Sequence, residues 1–112
     1  MTPAAFRKLA LSLDGAVEGA HGGHPDFRAV GKVFATMGYP DGDWAMVKLT
    51  PEQQDFLCAA EPGMFQAVKG SWGARGATLL RLNSTDARTA RSALAMAMGN
   101  LRTAKPARAR RS

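Results

Sequence analysis

The chain has 112 residues, with 15 Lys and Arg against nine Asp and Glu, a single cysteine, and 46% hydrophobic residues. That length suits one domain with one core, and a lone cysteine excludes both an internal disulfide and a four-cysteine zinc site. No apolar run approaches the roughly 18 residues of a membrane span, and the first eight residues lack a signal peptide's apolar block, so a cytoplasmic setting without membrane contact is expected.

Thr2-Pro3 supplies an N-cap oxygen and a first-turn proline, and Phe6, Leu9, Ala10 and Leu13 repeat at helical spacing. A first helix follows, ended by Asp14-Gly15. The glycine-rich stretch from Ala16 to Pro25 reads as a loop, with His21 and His24 as a candidate ligand loop. Two imidazoles there lack the rigid frame that zinc geometry needs, so no metal is expected. Strands are predicted over Phe27–Val30, Lys32–Met37 and Trp44–Leu49, and their short links require an antiparallel meander. Thr50-Pro51-Glu52-Gln53 is a capping box opening a second helix, with Gln53, Phe56, Leu57 and Ala60 inward. Cys58 lies about two turns into that helix, far from its N-terminus, and reads as a partly buried inert thiol.

Phe65–Val68 is then a short edge strand, Lys69–Gly76 a loop, and Ala77–Leu82 a further strand. Ser84 or Thr85 caps a long last helix, along which Ala87, Ala90, Leu94, Ala97, Met98 and Leu101 form one stripe. The predicted fold class is therefore α+β, one antiparallel meander sheet with helices packed on one face.

No Ser/His/Asp set, paired carboxylates or nucleotide-binding glycine loop stands out, so neither catalysis nor a cofactor is expected. Lys32, Lys48 and Arg81 lie within strands and fit the solvated face of an antiparallel sheet. Lys69, Trp72 and Arg75 can form a wing, with an aromatic ring for stacking and cations for phosphate. In the bland alternative, Trp72 packs over the edge of the core. These six residues form the expected nucleic-acid-binding set.

Residues 1–101 hold ten of the basic side chains and all nine acidic ones, whereas residues 102–112 hold five basic groups and no acid. A domain over residues 1–101 and a basic tail over residues 102–112, disordered or ordered only at its first residues, are expected. Counterion release would make any phosphate contact of that tail salt-sensitive.

Leu13-Asp14-Gly15-Ala16-Val17-Glu18, then His21 and Pro25 through Ala35 with its Val-Gly-Lys-Val-Phe-Ala block, resemble the MmcQ/YjbR family. Trp44 through Glu52, the Gly76–Leu82 strand and the alanine-rich last helix extend the likeness over roughly residues 3–101. The resemblance implies a CyaY-like α+β fold related to double-wing DNA-binding proteins. By position, Lys32 and Lys48 match that family's recurring lysines, and His21 its loop histidine. Two positions depart from the pattern: Ala77 and Gly22 stand where relatives often carry aromatic residues.

The expected function is non-sequence-specific DNA binding by a monomer. The alternative is a protein-interaction or small-ligand module using the sheet face or the His21–Pro25 loop. Lys32, Lys48 and Arg81 clustered on an open face would favour phosphate, and an apolar pocket near His21 would favour a ligand.

Overall fold

In the computed structural model, which describes residues 1–39 and 41–104, the long helices open on side chains that accept free backbone N–H groups. For α1 (Pro3–Ser12), Thr2 Oγ1 accepts the Ala5 N–H at 3.1 Å. For α2 (Pro51–Ala60) the capping box closes in both directions, Gln53 N–H to Thr50 Oγ1 at 3.1 Å and Thr50 N–H to Gln53 Oε1 at 3.0 Å. The segment expected as a loop after Val68 contains a single helical turn, α3 (Ser71–Ala74).

The last helix, α4 (Ala87–Ala104), opens on Asp86 and not on Ser84 or Thr85. Ser84 belongs to a 3₁₀ turn over Leu82–Ser84, and the Thr85 hydroxyl donates to the Arg81 carbonyl at 2.6 Å. The Asp86 carboxylate accepts the Thr89 N–H at 2.7 Å, a bond to the charged form that holds its pKa below the ordinary value.

Among the described residues six strands build one sheet: β1 (Val17–His21), β2 (His24–Ala29), β3 (Lys32–Met37), β4 (Trp44–Lys48), β5 (Phe65–Ala67) and β6 (Ala77–Arg81). Their order is β1-β2-β3-β4-β6-β5, antiparallel throughout. The stretch expected as loop from Ala16 to Pro25 is thus corrected to a hairpin arm. Gly22 and Gly23, at φ +60° and +80°, form the two-residue turn that returns β1 onto β2. Such a turn needs left-handed backbone at both central positions, which glycine adopts without a Cβ clash.

Helices α1 and α4 lie against β3, α4 also against β4, and α2 against β5. Phe6, Phe27, Phe34, Val47, Leu80, Leu82 and Leu94 are fully or almost fully buried between the layers. The Phe6 and Phe27 rings meet edge to face at 6.2 Å, the arrangement their quadrupoles favour. On α2 the buried residues are Gln54 and Leu57, whereas two residues expected inward are exposed, Phe56 (66%) and Ala60.

A bulge in β3 shapes both faces. Phe27 pairs with Ala35 but the next residue, Arg28, pairs with Val33, leaving Phe34 as the extra residue. Phe34 and Ala35 consequently both enter the helix-side core. The first three residues of the expected tail, 102–104, continue α4, and Arg102 donates to the Asp14 carbonyl at 2.8 Å. The remainder of that expected tail, residues 105–112, lies outside the described residues. Among the described residues no helix is long and apolar enough to cross a membrane.

Candidate ligand cleft

The register decides what each strand shows to the side away from α1 and α4. Cross-strand partners share a face, so the pairs Thr36–Met46, Met46–Leu79, Lys48–Ala77 and Trp44–Arg81 all point to that open side. The expectation of a plainly solvated face is corrected here. Met46, Leu79 and Ala77 are buried together, with Trp44 and Val68 packed on them. The signal was present in β3 and β4, whose near-continuous apolar runs suit strands covered on both faces.

Between these residues lies a cleft of about 490 Å³. Val33, Thr36 and Met46 form its floor, and His24 and Tyr39 stand at one end. At the other end stand Lys48, Val68, Trp72 and Ala77. The walls are mostly apolar. The Lys48 ammonium sits over the Trp72 ring, 5.4 Å from its centroid, a cation–π distance.

Trp72 is held there by a clamp at its back. The buried Gln54 amide donates to the Gly73 carbonyl at 3.0 Å, the Ala77 carbonyl at 2.9 Å and Thr78 Oγ1 at 3.2 Å. Thr78 Oγ1 in turn donates to the Gly76 carbonyl at 2.8 Å. Gly73 packs so tightly that a Cβ would lie 1.5 Å from the Val68 carbonyl oxygen. The segment bearing Trp72 is therefore a fixed wall, although 58% of Trp72 itself is exposed.

The buried carboxylate of the same face belongs to a structural pair. Asp26 is fully buried and receives two bonds from Arg28, Nε to Oδ1 at 2.8 Å and a terminal nitrogen to Oδ2 at 3.0 Å. Those bonds raise the Arg28 pKa, first by hydrogen bonding and then by charge. Gly19 faces the pair from β1, and a Cβ there would lie 2.9 Å from Asp26 Oδ1. Burial, with Asp55 nearby, pushes the Cys58 thiol up, away from a reactive thiolate.

The six expected nucleic-acid residues are not gathered in one place. Lys48 and Trp72 meet at the cleft, and Arg81 lies on the same face, its guanidinium 4.3 Å from the Trp44 ring centroid. Lys69 and Arg75 are exposed beside α3 but do not line the cleft. Lys32 pairs with Ala29, a core residue, so its side chain leaves the sheet on the helix side. His24 lines the cleft, beside Gly38. His21 pairs with His24 through the backbone, and its side chain lies outside the described part. Among the described residues no three His, Cys, Asp or Glu side chains gather as metal ligands. The cleft residues that sequence reasoning missed are Val33, Thr36, Tyr39, Met46, Val68 and Ala77.

A family model described as YjbR matches residues 11–97. The fold also resembles the crystal structure of Deinococcus radiodurans protein DR2400, a DUF419 domain protein. The two superpose with a TM-score of 0.69 at 15% identity, over 87% of this chain and 75% of that one. At that identity the likeness speaks for the fold alone. No curated protein matches the chain.

Proposed function

We propose a function for a chain that belongs to the YjbR family: it acts as a monomeric, non-catalytic cytoplasmic module that binds a small, largely apolar molecule on the open face of its sheet. The observation that carries this reading is the mostly apolar cleft of about 490 Å³, within the size range of small-molecule sites. Its position supports the reading too. Strands β3, β4 and β6 and the clamped wall at Trp72 shape it, so little ordering would accompany binding.

N-phenyl-1-naphthylamine, a neutral dye that brightens in apolar surroundings, tests the reading. Ala77 lines the cleft and is 6% exposed, so Ala77→Trp would fill one end of it. The expected result is saturable binding to the wild-type protein and a loss of at least about tenfold in affinity in Ala77→Trp. Equal binding by the two folded proteins would overturn the cleft as the site.

A second reading, non-sequence-specific DNA binding, is favoured by Lys69 and Arg75, exposed on either side of the half-exposed Trp72. The basic C-terminal residues would add attraction. Duplex affinity measured against salt separates the contributions. For that reading, Lys69→Ala with Arg75→Ala should weaken binding and flatten the salt slope by about two. An unchanged slope would remove these residues from the interface.

A further inference from the structure

We infer that the cleft's occupant is an elongated apolar acid, with its anionic head at Lys48 and its apolar body running toward His24 and Tyr39. This inference rests on the small-ligand reading above and specifies its chemistry. Charge complementarity carries it. Lys48 is the only Lys, Arg, Asp or Glu lining the cleft among the described residues, and it makes no ion pair there.

Asp26, the one buried carboxylate among the described residues, is engaged by Arg28 and does not line the cleft. The positive charge at the Trp72 end is thus left without a carboxylate among the lining residues. It lies beside apolar walls, where screening by water is weaker and an anion gains more than in bulk.

The register sets the length. Lys48 stands at one end, and the other end lies level with Trp44, whose carbonyl accepts the Gly38 N–H at 3.1 Å, with His24 beside Gly38. Four residue steps along a strand span about 13 Å. That length accommodates a two-ring aryl acid or a medium-chain acyl acid.

Two dyes that share one body separate charge recognition from apolar binding. N-phenyl-1-naphthylamine is neutral, and 1-anilinonaphthalene-8-sulfonate carries the same anilinonaphthalene body with a sulfonate. The wild-type protein should prefer the sulfonate by about five- to tenfold. Lys48→Met should bring that ratio close to one, and Lys48→Arg should retain most of it. Lys32→Met, which removes the same charge from the other side of the sheet, should leave the ratio at its wild-type value.

A wild-type ratio near one, or a preference that survives in Lys48→Met, overturns the anionic head while the cleft itself stands. Failure of both dyes to bind, or binding indifferent to Ala77→Trp, overturns the cleft reading and this inference with it. A ratio lowered equally by Lys32→Met would assign the preference to net charge and reject the role of Lys48.

Discussion

Gly76→Ala is expected to lower the stability of the protein by at least about 3 kcal/mol, beyond the usual range for a single methyl group. An added Cβ would lie 1.9 Å from the Leu49 carbonyl oxygen and 2.8 Å from its carbon, so backbone would have to move. The residue also sits at φ +112°, where side chains other than hydrogen are strained. Its carbonyl accepts the Leu49 N–H at 3.2 Å, and its N–H donates to the Gly73 carbonyl at 3.0 Å. Displacing it therefore disturbs the join between β4, α2 and the Trp72 wall. Gly99→Ala is the matched control, since an added methyl there meets nothing within 4 Å. Urea denaturation should separate the two variants by several kcal/mol, and a wild-type midpoint for Gly76→Ala would contradict the packing described.

The second large effect is expected on the opposite side of the sheet. Phe34→Ala should cost about 3–5 kcal/mol, the range for emptying a buried phenylalanine site. Phe34 is fully buried, and the bulge gives it a place beside Ala35 that ordinary alternation would deny. Because it faces the helices, the folded fraction of this variant should keep its affinity for N-phenyl-1-naphthylamine. A cost under about 1 kcal/mol would mean that the bulge does not hold the ring in the core.

Much of the fold was legible because local chemistry and tertiary structure agree. Thr2-Pro3 and Thr50-Pro51-Glu52-Gln53 open helices where their side chains indicate. Of the stripe along α4, Ala90, Leu94, Ala97 and Met98 are buried and Leu101 partly so, whereas Ala87, in the first turn, is exposed. Strand β1 is not legible because Glu18, Gly19 and Ala20 lack strand propensity, and its pairing comes from the Gly22-Gly23 turn. Phe56 was misplaced inward because α2 meets the sheet through Gln54 and Leu57. The two N–H groups of the buried Gln54 amide find their acceptors among Gly73, Ala77 and Thr78, and no local pattern announces them.

The candidate site was less legible. Lys48, Trp72, Arg81 and His24 were singled out by residue type, but their grouping depends on register. The pairings Thr36–Met46 and Lys48–Ala77 assemble the cleft, and a one-residue slip would send those side chains to the other face. Lys32 is the counterexample, since its pairing with Ala29 takes it to the helix side.

The most direct test of the cleft is a two-dimensional amide NMR titration of the full chain with N-phenyl-1-naphthylamine. Shifts should concentrate at Val33, Thr36, Met46, Lys48 and Ala77, with α1 and the core face of α4 little changed. Shifts gathered instead around exposed Phe56 on α2, or spread evenly over the molecule, would contradict a binding site on the open face of the sheet.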